Sequence, residues 1–442
     1  MQKKFYIETY GCQMNVADSE VVSSIMAESG YGRTENMGEA DLILVNTCSI
    51  RENAEQRVWG RLDVFKQIKN QHPEVKVGVI GCMAERLKEK LIEKEKSVDL
   101  VIGPDSYRTL PKLLETVDTG QKGINTLLSK EETYGDIAPV RADKNQISAF
   151  ISIMRGCNNM CSYCIVPYVR GRERSRDPQT IIKEAAELYE QGFKEITLLG
   201  QNVDSYAWKK SDGTTMPFAE LLEQTARINP SLRIRFATSH PKDLSDEVLK
   251  VISQHINICR HIHLPVQSGS TDILKKMNRG YTREWYMDRI DAIRKYLPEA
   301  EITTDIMTGF SDETDQDHQE TLSLMKYANY DFAYMFKYSE RPGTKAARRM
   351  EDNVPEETKK KRLSEIIGLQ NRISSENKNK AIGKTYTVLI ENTSKKSKNE
   401  FSGRNSQNQV VVFPKNGEKI GKFVDVKILN TTPATLIGQK IN

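Results

Sequence analysis

Residues 155–176 read RGCNNMCSYCIVPYVRGRERSR and hold three cysteines within eight residues, Cys157, Cys161 and Cys164. Three thiolates on one short loop can reach three corners of an iron–sulfur cube, whereas a closed structural zinc site asks for a fourth ligand. None is close by, the nearest histidine downstream being His240. The spacing therefore predicts a 4Fe-4S cluster with one iron lacking a protein ligand. Such an iron can chelate a small molecule through an amine and a carboxylate and pass it an electron. Tyr163, between the second and third ligands, is placed to touch an adenine.

A second set is dispersed. Cys12, Cys48 and Cys82 are separated by 36 and 34 residues, about one βαβ unit each. Each closes a strand-like run: YIETYGC, LILVNTC and VGVIGC. Parallel neighbours lie about 4.8 Å apart, so three thiols at the carboxyl ends of such strands converge on the crevice where open α/β sheets bind ligands. Buried core cysteine is the alternative. With three ligands again, a second cluster with an exchangeable iron is expected, able to hold a substrate sulfur. Cys259 reads as a core thiol, and His261 and His263, alternating on a strand, read as satisfied core residues.

These residues need elements to position them. The first 120 residues alternate strand and helix patterns in βαβ order, which predicts a parallel sheet covered on both faces. Residues 121–146 are polar and broken and read as a linker. From Ile147 to residue 375 there are six strand–helix units, too few for an eight-unit barrel and suited to an open six-unit one. Gln201, Ser239, Gln267 and Asp305 are polar at or near the carboxyl ends of its strands, where barrel sites form. A charged helix from about Pro355 to Lys380 leads to a tail, residues 376–442. There TYTVLIE, QVVVFP and FVDVKILN predict a small antiparallel β-barrel of a kind used for nucleic acid. The expected fold class is α/β with three domains.

Of the 442 residues, 38% are hydrophobic and 28% charged, ordinary values for a soluble protein. No apolar run approaches the roughly 18 residues of a membrane span, so no membrane partner is expected. The N-terminus MQKKFYIETYG lacks the apolar core of a signal peptide. The expected location is cytoplasmic, where clustered cysteines mean metal or catalysis rather than disulfides. The tail holds 12 Lys or Arg against 5 Asp or Glu, net +7, leaving −2 for the rest of a chain whose total is +5. Such a tail predicts a polyanionic partner. Lys395, Lys396, Lys398 and Arg404 are its candidate backbone contacts. Arg170, Arg172, Arg174 and Arg176 lie two apart, and in an extended segment they share one face beside the cluster loop. They are candidates for RNA phosphate contact, with ion pairing to Glu173, Asp177 and neighbouring carboxylates as the alternative.

The CxxxCxYC word following a barrel strand resembles the radical S-adenosylmethionine (SAM) enzymes. The two cysteine sets together resemble the methylthiotransferase family over nearly the whole chain. YGCQMN (residues 10–15), TSHP (238–241) and LPVQSGS (264–270) look like its bacterial tRNA branch. The resemblance implies an N-terminal domain with an auxiliary 4Fe-4S cluster, a radical SAM barrel with its own, and a C-terminal TRAM domain that grips substrate. It implies transfer of a methylthio group to carbon 2 of a prenylated adenosine beside the tRNA anticodon. Two SAM molecules are used, one to methylate a sulfur on the auxiliary cluster and one to generate the radical. Tyr163, Gln201, Ser239, Gln267 and Asp305 become candidate SAM contacts, with Arg279 a partner for its carboxylate. The anticodon stem-loop, an electron-donor protein and a sulfur donor are the implied partners. One departure is TGFSDET, where the family more often has GFPGET; loop variation without loss of activity is expected. A threonylcarbamoyl-adenosine enzyme and a non-catalytic RNA-binding iron–sulfur sensor are the competing readings.

Overall fold

The computed structural model describes residues 2–49, 52–141 and 146–441. In chain order the first strands are β1 (Lys4–Thr9), β2 (Gly32–Arg33), β3 (Leu42–Thr47), β4 (Lys76–Gly81), β5 (Leu100–Ile102) and β6 (Gly123–Asn125). Between them lie α1 (Gln13–Glu28), α2 (Glu52–Gln71), α3 (Cys82–Leu87), α4 (Glu89–Lys94) and α5 (Leu110–Asp118). The middle of the chain holds β7 (Ser148–Ser152), β8 (Met154–Arg155), α6 (Val166–Arg170), β9 (Arg174–Ser175), α7 (Pro178–Glu190) and β10 (Glu195–Leu199). A hairpin of β11 (Ala207–Lys209) and β12 (Thr215–Pro217) precedes α8 (Phe218–Ala226), β13 (Arg233–Ala237), α9 (Asp246–Gln254) and β14 (His261–His263). Then come α10 (Thr271–Lys276), α11 (Arg283–Tyr296), β15 (Glu301–Thr308), α12 (Asp315–Ala328), β16 (Phe332–Lys337), α13 (Lys345–Arg349) and α14 (Glu356–Asn379). The last strands are β17 (Thr385–Thr393), β18 (Glu400–Arg404), β19 (Val410–Pro414), β20 (Phe423–Thr431) and β21 (Leu436–Lys440).

The chain forms two compact units, one of residues 1–142, 150–160 and 164–181, the other of 143–149, 161–163 and 182–442. The first is built on a six-stranded sheet in the order β2-β1-β3-β4-β5-β6, parallel throughout. Its central strands are apolar on both faces, as a doubly covered sheet requires. Leu42 and Leu44 of β3 pack with Val22, Met26 and Leu110 on one side; Ile43 and Val45 pack with Val58, Leu62 and Phe65 on the other. The predicted linker is corrected by two observations. Its start is β6, paired with β5, and Tyr134 and Ile137 are buried in the same core. Apolar side chains spaced among polar ones were enough to fasten the segment down. Residues 142–145 of the predicted linker lie outside the described residues.

In the second unit β13, β10 and β7 form one sheet and β14, β15 and β16 another. The amide of Cys259 donates to the Ile234 carbonyl at 2.9 Å, carrying the order across as β7-β10-β13-β14-β15-β16. Among the described residues β7 and β16 do not pair, so the barrel is open. The terminal strands close a separate barrel, β17-β18-β19-β21-β20, around Val388, Ile390, Phe401, Val411, Phe413, Val426 and Ile428. It is antiparallel apart from β19 and β21, which run parallel. It has five strands where three were read from the sequence. α14 runs on to Asn379, through the boundary drawn at residue 376.

The small barrel docks on the amino-terminal ends of the larger one's strands. Glu195, the first residue of β10, is buried and accepts from Arg235 Nε at 2.8 Å and Arg404 Nη2 at 3.1 Å. Arg233 donates to the carbonyls of Arg404 at 2.7 Å and Thr387 at 3.1 Å. Arg235 donates to the carbonyl of Asn405 at 2.8 Å. Arg404 also holds Glu391 at 2.7 Å. It is therefore corrected from an RNA contact to a joint between the two barrels, because two carboxylates consume its guanidinium.

Candidate functional site

The dispersed cysteines follow three adjacent strands in matched register, Thr9 opposite Asn46 and Thr47 opposite Gly81. Cys48 and Cys82 are buried and Cys12 half-buried, and none is in a disulfide. Gly11 (φ +139°) lets the first loop close on the second, since a Cβ there would lie 2.7 Å from that of Cys48 and 2.5 Å from Asn15 Oδ1. Asn15 stitches the loop down. It accepts from the Cys12 amide at 3.3 Å and donates to Asn46 Oδ1 at 3.0 Å and the Thr47 carbonyl at 3.1 Å. Thr47 in turn donates to the Ile80 carbonyl at 2.7 Å, joining the second strand end to the third. Burial pushes the Cys82 thiol up to about 12, Arg170 opposes the shift, and Cys48 and Cys12 add to it. The three thiols thus lie within electrostatic reach of one another and of one buried arginine.

Among the described residues no three His, Cys, Asp or Glu side chains close on a point that would hold a single metal ion. Each set supplies three thiols where a closed structural zinc site takes four ligands, so the donor number fits a cluster with one open iron better than zinc. A buried guanidinium beside the thiols offsets their charge as thiolates.

The arginine stripe is not extended. Arg170 ends α6, Gly171 turns at φ +70°, and Arg174 lies in β9. Arg170 donates to Asp18 Oδ2 at 2.7 Å and Arg155 to Asp18 Oδ1 at 2.8 Å, all buried. Arg174 Nη2 donates to both Asp105 carboxylate oxygens, at 2.8 and 3.0 Å. Arg176 is buried and donates to Thr180 Oγ1 at 2.9 Å. These three are corrected from phosphate contacts to buried, internally bonded side chains; Arg172 alone is exposed. Asp18 sits below the usual carboxylate range: burial raises it, and Arg155 and Arg170 more than reverse that. In the tail, Lys395, Lys396 and Lys398 are exposed on the turn between β17 and β18, at the far end of that hairpin from Arg404.

The compact loop is held by hydrogen bonds within each unit. In the first unit the Cys157 amide donates to the Gly171 carbonyl at 3.1 Å. Gly156 (φ +78°) passes so close that a Cβ would lie 2.0 Å from the Arg172 carbonyl oxygen. In the second unit Ser162 donates through its amide to the Met277 carbonyl and through its hydroxyl to that of Lys276, both at 2.9 Å. Arg279, buried, donates to Cys161 Sγ at 3.3 Å, Tyr163 Oη at 3.4 Å, Tyr281 Oη at 3.0 Å and the Pro265 carbonyl at 2.6 Å. Its Nη1 faces the loop, while Nε and Nη2 are turned to Tyr281 and Pro265. The Tyr163 ring packs edge-on to Phe310, centroids 6.4 Å apart.

At the carboxyl ends of β10 and β13, both polar atoms of the Gln201 carboxamide are buried without a partner among the described residues. Ser239 is buried beside Asp204. Sequence reasoning passed over Asp204 and His240. Burial pushes Asp204 up to about 7, with Asp243 adding and the Ser239 hydroxyl and His240 amide opposing. Burial, with Arg279 and Lys242, pushes His240 down to about 2, so its ring is neutral. The available signal was their place directly after strand ends, in GQNVD and TSHP. Gln267 is left-handed at φ +75° and its amide donates to the Asp305 carbonyl at 2.9 Å. Asp305 lies inside β15, three residues short of its end, with His263 Nε2 at 3.6 Å.

Three family models match: "Uncharacterized protein family UPF0004" over residues 4–103, the radical SAM superfamily over 151–325 and the TRAM domain over 379–441. Curated relatives named tRNA-2-methylthio-N(6)-dimethylallyladenosine synthase are similar end to end. One from Bacteroides fragilis strain YCH46 is 57% identical over 99% of this chain and 96% of its own length. One from Amoebophilus asiaticus is 57% identical over 99% and 92%. The chain belongs to the tRNA-2-methylthio-N(6)-dimethylallyladenosine synthase family. The radical SAM methyltransferase TsrM of Kitasatospora setae shares the fold at a TM-score of 0.60 and 14% identity, over 78% of this chain and 77% of that one. Membership of this synthase family makes the chain a radical SAM enzyme, with SAM and a 4Fe-4S cluster as its cofactors. No helix among the described residues is long and apolar enough to cross a membrane. The departure at GFSDET is accommodated locally. Asp312 takes the left-handed φ of +58°, which Asp tolerates better than most residues, and exchanges hydrogen bonds with Asn353 at 2.8 and 2.6 Å.

Proposed function

We propose that this protein transfers a methylthio group to carbon 2 of N6-dimethylallyl-adenosine next to the tRNA anticodon. Cys157, Cys161 and Cys164 would hold one 4Fe-4S cluster, and Cys12, Cys48 and Cys82 a second. When bound, the clusters and SAM supply the reducing electron, the radical and the transferable sulfur. The observation that carries this reading is the second triad. Its thiols share one sheet end beside buried Arg170, in a chain whose full-length relatives bear the synthase name. A sensor needs only one cluster.

The chain's own groups bind and orient. Asn15 and Gly11 fix the Cys12 loop; Arg279 holds Cys161 and Tyr163. Gln201, Ser239 and Gln267, and the neutral His240, offer hydrogen bonds at the strand ends for SAM and the base. A target base must leave its stack, at small cost in an anticodon loop. Lys395, Lys396, Lys398 and Arg172 are exposed cations available to RNA phosphates. An electron-donor protein and a sulfur donor complete the reaction. Mass analysis of nucleosides from tRNA of a deletion strain tests the reading: dimethylallyl-adenosine without its methylthio group accumulates. Accumulation of unmodified threonylcarbamoyl-adenosine instead would assign the chain to the competing substrate.

A further inference from the structure

Among the described residues the last strand of the open barrel, β16, is an edge, paired on one side only, with β15. Ala333 on one face is buried, and α14 packs against this strand. The other face carries Phe332, Tyr334 and Phe336, which stay 44%, 49% and 44% exposed. They stand opposite Thr303, Asp305 and Met307 of β15. Phe332 and Tyr334 rings are 5.0 Å apart edge-to-face, and Tyr334 meets His263 at 6.0 Å. Soluble proteins rarely leave contiguous aromatic surface open unless something binds it.

The charge beside the aromatic row points to its ligand. Residues 337–349 hold Lys337, Arg341, Lys345, Arg348 and Arg349 against Glu340. Lys337 is paired with Glu356, and Lys345, Arg348 and Arg349 lie on α13, which begins eight residues after the strand's last residue. Aromatic faces with adjoining cations are how proteins hold unpaired bases and their phosphates. The small basic barrel docks at the amino-terminal ends of the strands, through Glu195, Arg233 and Arg235, whereas barrel chemistry sits at the carboxyl ends. RNA touching both must run the length of the strands, about 20 Å for six residues. β16 lines the open flank along that path.

We propose that Phe332, Tyr334 and Phe336 form a stacking platform for unpaired bases of the substrate RNA. The platform rests on the proposed tRNA substrate. The test is fluorescence anisotropy with a labelled anticodon stem-loop and the full-length protein. Phe332→Ser/Tyr334→Ser/Phe336→Ser binds about ten-fold more weakly or worse, Tyr334→Trp binds as wild type, and a continuous RNA duplex does not distinguish them. Should the triple variant misfold by circular dichroism, abasic loop nucleotides give the same loss with the wild type. Equal stem-loop affinity across these comparisons overturns the platform. So does a triple variant that loses only self-association, which would make the row a contact between copies. Normal methylthiolation in the deletion strain overturns the substrate reading and leaves the anisotropy result standing.

Discussion

Arg170 donates to Asp18 at 2.7 Å, and both side chains are buried. Asp18 also takes Arg155 at 2.8 Å and the Tyr107 hydroxyl at 3.3 Å. One carboxylate thus ties α1, which begins just after Cys12, to α6, which follows Cys164. Removing it strands two buried guanidinium groups. Asp18→Ala should cost about 3–5 kcal/mol, read as a lower denaturant midpoint, and Asp18→Asn less, since it still accepts a hydrogen bond.

Iron content separates the cysteine sets. Anaerobically reconstituted wild type should hold about eight irons per chain, and replacing either triad by alanine about four. Gly156→Ala should resemble loss of the compact triad, because its Cβ meets the Arg172 carbonyl at 2.0 Å. A triad variant with unchanged iron would remove that triad from the ligand set.

Asp204 and His240 have opposite pH signatures. Asp204 ionises near 7 when folded and 3.8 when unfolded, so between these values the folded state binds more protons and stability falls as pH rises. His240 protonates near 2 when folded and 6.5 when unfolded, so stability rises with pH up to about 6.5. From pH 4 to 6.5 the two slopes cancel. Relative to wild type, Asp204→Asn should gain about 1.4 kcal/mol per pH unit across that window and His240→Gln should lose as much. Urea melts at several pH values measure both.

The tail lysines and Arg404 should separate in salt titrations. Lys395→Ala/Lys396→Ala/Lys398→Ala should flatten the dependence of tRNA affinity on salt, by about 0.7–0.9 in log–log slope for each phosphate no longer neutralised. Arg404→Ala should leave that slope alone and lower the melting temperature, because its partners are Glu195 and Glu391.

The six cysteines, their place after strands and the alternation of strand and helix were legible because they are local. β3 spells LILV and is apolar on both faces; Cys12, Cys48 and Cys82 each lie within three residues of a strand's end. β2, β6, β18 and β21 were not, being short or weakly apolar and held by neighbours distant in sequence. Charge was visible, but its use was not. Arg170, Arg174, Arg279 and Arg404 look alike in a string of letters, yet each is spent on a carboxylate, carbonyl or sulfur brought up by the fold. Asp18 lies 152 residues from Arg170. Chain spacing sets which residues can share an element; only packing decides which buried charge meets which.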